Sequence, residues 1–302
     1  MNNIPLIENH CHGAYGVNFN YCDYDEVKKL LKLLYKKNIK GVCPTLVGES
    51  DDKIYNQLKL FKEIKKEQMK NPKAESLILG VHLEGTFLNP DSAGIQDNST
   101  FKTLTKENFK ALVKDCSDIV KIVTLAPELD VDLINYLKKN AILAQAGHTL
   151  GEDLKKCSGV THLFNAMKPI HHRNSSIAQK ALIDDEIYVE VIFDLVHLSL
   201  DTIKLIKKVK PIDKIILISD SLPCAGAQNE IIFCGKKINP SGKDDKGKLA
   251  GSNKTLYEIS QNLIGKNIFS KSDIYTMAFK NNIKYLNLSS SEIDILNENK
   301  LC

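Results

Sequence analysis

IPLIENHCHG, residues 4–13, holds an apolar run of strand length, IPLIENH (4–10), with two histidines one residue apart at its tip. In a β-strand alternate side chains share a face, so His10 and His12 point one way and Cys11 the other. Two imidazoles side by side amount to half a metal site, although an isolated pair is more often a pair of surface or turn histidines. Seven further runs follow: GVCPT (41–45), LILGVHL (77–83), IVKIVTL (119–125), AILAQAG (141–147), VTHLF (160–164), YVEVIFD (188–194) and KIILISD (214–220). Between them, lysine-rich stretches such as DEVKKLLKLLYKK and NQLKLFKEIKKEQ carry helical periodicity, and DVDLINYLKK and EDLKKCS are shorter segments of the same kind. Eight strands alternating with helices predict an α/β fold of the (β/α)8 TIM-barrel type.

The bulk properties agree. A chain of 302 residues with 43% hydrophobic and 26% charged residues has ordinary globular composition and a length suited to one α/β barrel. The net charge of +4, from 41 basic and 37 acidic residues, is too mild to imply nucleic acid, and lysines such as Lys28, Lys29, Lys36 and Lys37 are expected on solvated helix faces. Eight cysteines from Cys11 to Cys302 form no CxxC pair, and the N-terminus has no signal-peptide pattern, which predicts reduced thiols and a cytoplasmic location. No apolar run approaches the roughly eighteen residues of a membrane span, so no membrane partner is expected. No linker or repeat divides the chain, and residues 1–302 are expected to form a single barrel domain. A hairpin-and-loop excursion at about 225–252 and closing helices at about 254–284 complete it.

Barrels of this type assemble their active sites at the C-terminal ends of the strands. His10 and His12 end the first run, Glu84 the third and His148 the fifth; His162 lies in the sixth, and Asp220 is the last residue of the eighth. Singly, each has an ordinary account: His82 or His162 as a hydrogen-bonded core histidine, Glu84 as a loop carboxylate, Asp220 as a helix cap. Their coincidence on one rim is better explained by a metal centre. Imidazoles and a carboxylate suit Zn²⁺ or Fe²⁺ with coordination positions left for water. Asp220 is then placed to take a proton from an activated water and pass it to a leaving group, which makes metal-assisted hydrolysis the expected reaction.

The blocks HLEGTFLNP, VTLAPE, AGHT, THLFNAMKPIHHR, YVEVIFDLVH, ISDSLPCAG and KLAGS, in that order, resemble the signature of the N-acetylglucosamine-6-phosphate deacetylase family in the amidohydrolase superfamily. The resemblance runs from about residue 4 to residue 290, and the THLFNAM block is long and specific. It implies a hydrolase acting on a linear amide, which converts N-acetylglucosamine 6-phosphate to glucosamine 6-phosphate and acetate. By the same resemblance Glu84, His148 and His162 would hold a principal divalent metal, Zn²⁺ or Fe²⁺. His10 and His12 would hold a second ion bridged by Glu84, giving one or two per subunit. Asp220 would be the general base and then acid. Asn165, the backbone at Ala166 and His197 would bind the sugar phosphate, and Arg173 would clamp it from the neighbouring subunit of a homodimer.

Several residues depart from that pattern. Thr86 replaces a proline, and Glu8 stands where an aspartate usually precedes the histidine pair. In the flap after Asn89, Ala93 and Gln96 replace a lysine and a carbonyl-polarising histidine; an amide can hydrogen-bond the carbonyl but cannot become cationic. Phe193 and Leu195 replace small residues, and are expected to add bulk beside His197. The small β-sandwich usual in the family is expected to be missing. Two further readings follow: hydrolysis of another N-acyl sugar (phosphate) or a cyclic amide, and a degenerate barrel that binds metal or sugar phosphate without turnover.

Overall fold

The computed structural model describes residues 4–227 and 229–298. Eight strands run in sequence order around a barrel: β1 (Leu6–Cys11), β2 (Ile39–Leu46), β3 (Val81–Phe87), β4 (Val120–Leu125), β5 (Leu143–Ala146), β6 (Gly159–Val160), β7 (Tyr188–Val191) and β8 (Ile215–Leu217). Each pairs in parallel with the next. Such strands are covered on both faces, which is why they read as nearly continuous apolar runs. Between β8 and β1 the seam is closed just beyond the strands. Asp220 N donates to His10 O at 3.0 Å and His12 N to Ser221 O at 2.8 Å. Buried Glu8 fastens the same seam, accepting from the Ser219 amide and hydroxyl and from the His10 amide. Burial pushes its carboxyl up to about 8 against those bonds.

Helices α1 (Tyr24–Lys36), α2 (Asp51–Lys70), α3 (Lys106–Val113), α4 (Asp132–Lys139), α5 (Ile177–Ile183), α6 (Leu200–Val209) and α7 (Leu256–Gly265) lie outside the strands. In α1 the Asp23 carboxylate and Glu26 form a reciprocal capping box, so the helix starts where its apolar face does. Leu30, Phe61, Phe109, Leu137 and Ile206 pack these helices on the barrel wall. A second buried cluster joins Ile7, Cys43, Ile122 and Ile216 from inside the barrel to Phe279 and Leu296 of the C-terminal helices. One end of the barrel is thus plugged with apolar side chains, and the other is left to polar ones.

Segment 152–158 is not helical; Lys155 and Lys156 take left-handed φ values of 46° and 72°. The chain must return from one end of the barrel to the other in few residues between β5 and β6. Extended backbone covers about twice the distance per residue that a helix does. The run LILGVHL also breaks, because Gly80 takes a φ of 156° and a Cβ there would lie 2.6 Å from Lys121 Cβ. Strands β6 and β8 end before their apolar runs, so His162 and Asp220 sit on turns beyond them.

After β8 the chain forms a hairpin, β9 (Ile231–Phe233) and β10 (Lys236–Ile238), turning at Cys234 and Gly235, both with positive φ. Phe233 and Ile238 bury themselves with Val47, Ile95 and Leu222 above the barrel rim. Beyond α7 come helical segments Lys271–Tyr275 and Asn281–Tyr285, joined through a π turn at Thr276–Lys280, and then Ser290–Glu298. The described cysteines are all free thiols; Cys302, like the other residues of 1–3, 228 and 299–302, lies outside the described residues. Among the described residues no helix is long and apolar enough to cross a membrane.

Candidate active site

Six side chains from five strand ends meet at the polar mouth, and Glu84 is at their centre. Its Oε1 lies 2.8 Å from His162 Nε2 and 3.2 Å from His148 Nε2. The other oxygen, Oε2, lies 3.2 Å from His12 Nε2 and 3.6 Å from His10 Nε2. Asp220 Oδ1 approaches the second pair, at 3.1 Å from His12 and 3.4 Å from His10. Three rings direct Nδ1 at an acceptor: His12 at Thr45 O (3.3 Å), His148 at Ser92 O (2.9 Å) and His10 at Glu190 Oε2 (3.0 Å). An Nδ1–H so engaged leaves the lone pair of the neutral ring on Nε2, where all of these rings converge.

Backbone geometry at the rim aims these groups. His148, His162 and Asp220 have φ values of 46°, 29° and 51°, in the left-handed region that L-residues occupy at a cost. Each such residue costs on the order of 1–3 kcal/mol, offset by the surrounding structure.

Electrostatics show what the site is built to receive. Burial disfavours charge on His12, yet its bonds to Asp220 and Glu84 lift it to about 9, and His10 is raised well above its ordinary value by the charges of Glu84, Glu190 and Asp220. Burial likewise opposes ionisation of Glu84 and Asp220, but the His10 charge and the bonds from neighbouring rings hold both below the usual carboxylate range. Two buried carboxylates thus draw protons onto imidazoles that would otherwise be neutral. A divalent cation answers the same field. His148 and His162 Nε2 are only 3.2 Å apart, and His10 Nε2 is buried without a hydrogen-bond partner, so the residues fit such an ion. Two groups suit it, Glu84 with His148 and His162, and Glu84 with His10 and His12. A third grouping, His10 with His82 and Glu190, does not offer a free donor on His82. Its ring nitrogens already face Asn9 O at 3.2 Å and Thr124 Oγ1 at 2.7 Å, so it is a core histidine.

A cavity of about 380 Å³ opens over these groups, lined also by Gln96, Asn165, Ala166, His197, Phe233 and Lys248. Gln96 Nε2 donates to Glu84 Oε2 at 3.4 Å. Asn165 Nδ2 donates to the His162 carbonyl at 3.1 Å, so this residue also holds the turn that carries the ring. His197 Nδ1 meets Asp194 Oδ2 at 2.9 Å. Arg173 is exposed on a loop outside the cavity lining of its own chain.

One expectation is corrected. Phe193 and Leu195 add no bulk to the pocket. Phe193 is fully buried and stacks on Phe269 at 5.5 Å, and Leu195 packs on the same core. The left-handed turn at Leu195, φ 66°, breaks the alternation that would have carried these side chains toward His197.

Four residues of the site escaped the sequence reading: Glu190, Asp194, Phe233 and Lys248. For the first two a signal existed, since carboxylates inside the apolar run YVEVIFD are rarely buried without a partner. Phe233, whose ring lies 5.2 Å from that of His12, and Lys248 come from the excursion, where no periodicity marks which side chains turn inward. Among the described residues Lys248 is the cavity's one lysine or arginine.

No family model matches the chain. It is 31% identical over 296 residues to the N-acetylglucosamine-6-phosphate deacetylase of Bacillus subtilis, an alignment covering 94% of this chain and 74% of that one. It is 25% identical over 271 residues to the N-acetylgalactosamine-6-phosphate deacetylase of Escherichia coli O157:H7, covering 85% and 71%. The crystal structure of N-acetylglucosamine-6-phosphate deacetylase from Pasteurella multocida superposes with a TM-score of 0.82 at 27% identity, covering 94% of this chain and 76% of that one. Agreement in sequence along nearly the whole chain, and in fold with a solved member, makes this protein a member of the N-acetylglucosamine-6-phosphate deacetylase family.

Proposed function

We propose that the protein hydrolyses the acetamide of N-acetylglucosamine 6-phosphate to glucosamine 6-phosphate and acetate. The observation that carries this reading is the division of Glu84 between two pairs of imidazole Nε2 atoms, with Asp220 beside one pair. Glu84, His148 and His162 would hold one divalent ion, and His10 and His12 with Glu84 a second; imidazole and carboxylate ligands favour Zn²⁺, with Fe²⁺ the alternative. Such an ion supplies Lewis acidity, polarising a carbonyl oxygen and making water a stronger acid.

The chain's own groups do the rest. Asp220, held ionised, accepts a proton from the attacking water and returns it to the departing amine. The Gln96 amide orients the acyl group beside Glu84. His197, whose Nδ1 is engaged by Asp194, and Lys248 face the anionic end of the substrate, together with Asn165 and the backbone at Ala166. Arg173, exposed at a loop tip, adds a further cation from the second subunit of a homodimer. The free thiols suit the reducing cytoplasm.

Zinc-loaded protein incubated with N-acetylglucosamine 6-phosphate is expected to release acetate, and Asp220→Asn to lose roughly 10²–10⁴-fold in rate. Release no faster than that of the variant rejects the activity. The similarity to a deacetylase named for the galactosamine substrate favours a second reading, the C4 epimer, and a panel of both sugars with and without phosphate separates the two.

A further inference from the structure

Glu190 sits in the middle of β7, about 1% exposed, in a run whose other members fill the barrel core. Packing does not account for it, because an apolar residue of similar volume would satisfy the position without burying a charge. Both of its oxygens are engaged. Oε2 lies 3.0 Å from His10 Nδ1, and Oε1 accepts from Gln145 Nε2 at 3.0 Å. Gln145 is pinned in turn, its Oε1 accepting from Thr161 Oγ1 at 2.8 Å, and Thr161 meets Thr124 at 2.7 Å. The carboxylate is therefore held at a fixed place by β4, β5 and β6, and has one group left to act upon, the His10 ring.

We propose that Glu190 is a positioning residue for His10, holding it as the Nδ1–H tautomer with the Nε2 lone pair turned toward Glu84 and Asp220; this rests on the reading of His10 and His12 as metal ligands. His12 and His148 give their Nδ1–H to neutral backbone carbonyls, whereas His10 gives its own to a carboxylate. A charged acceptor makes the ring a stronger electron donor at Nε2. The two candidate metal groups are thereby made unequal. The one containing His10 depends on a carboxylate buried below it, and the one built from Glu84, His148 and His162 has no bond to Glu190.

The test is a titration of metal-free wild-type protein and Glu190→Gln with Zn²⁺ against a competing chelator dye. The expected result is an unchanged first equivalent and a second equivalent weakened ~10–100-fold in the variant. Two equivalents bound with wild-type affinities by folded Glu190→Gln overturn the proposal. A second measurement needs no variant: ¹⁵N NMR of the zinc-loaded wild-type protein is expected to show His10 protonated at Nδ1, and a proton on Nε2 overturns the proposal. Wild-type protein that takes up only one equivalent, with the same affinity in Glu190→Gln, fails in a different way, removing His10 and His12 as ligands and with them the role of Glu190.

Discussion

At the scale of single residues, the pairing of His197 with Asp194 makes a pH prediction with a definite sign. Burial opposes the charge on His197, but the Asp194 bond and charge raise it above 6.5. Burial also opposes ionisation of Asp194, yet bonds from the His197 ring and the amides of His197 and Val196 lower it to about 2. A raised imidazole contributes stability below its unfolded value and loses it as pH rises through the folded one; a depressed carboxyl contributes above its unfolded value and loses it as pH falls. The pair is therefore fully effective between about 3.8 and 6.5. NMR titration should place His197 above 6.5 in the wild type and lower in Asp194→Asn; an unchanged value would dismiss the pairing. Which residues gather at the mouth was readable where a ligand-type side chain ended an apolar run, as at His10 and Glu84. Glu190 and Asp194 were harder, because a lone carboxylate carries no spacing that names its partner.

Elements were legible in their order and less so in their ends. Burial on both faces produced eight apolar runs, but VTHLF gives only Val160, its own first residue, to the two-residue strand β6, and the rest is turn. Sequence pattern cannot tell a buried strand from a buried turn, and the left-handed residues at the rim have no composition of their own. The excursion shows the same limit. Lys236 Nζ donates to Ile95 O at 2.9 Å and Lys248 Nζ to Gly94 O at 2.6 Å, so two lysines fasten the flap to the hairpin region. An ammonium has three donors, and the bond to Gly94 leaves Lys248 two for a phosphate. Lys248→Met, which keeps most of the stem, should raise KM for the phosphorylated substrate about tenfold, the worth of one charge-assisted bond. Kinetics on the unphosphorylated amide should move little. An equal loss on both substrates would mean that the lysine serves the flap alone.

For the whole molecule, the ligand set draws on β1, β3, β5 and β6, so an ion bound there ties together elements spread over half of the chain. Ligands that exist as a set only in the folded state couple binding to stability, by about 2.7 kcal/mol at a free-ion concentration one hundred times Kd. Chelation should lower the unfolding midpoint, with recovery on adding Zn²⁺; a midpoint indifferent to chelator would show that no ion is held. The left-handed backbone at His148 acts in the opposite direction. Glycine would sit there with less strain, and without the ring no imidazole would crowd His162. In metal-free protein His148→Gly should therefore resist denaturant better than its parent while turning over nothing. A chain shaped for durability alone would give up this corner first; the left-handed histidine is a standing tax on endurance, levied by chemistry.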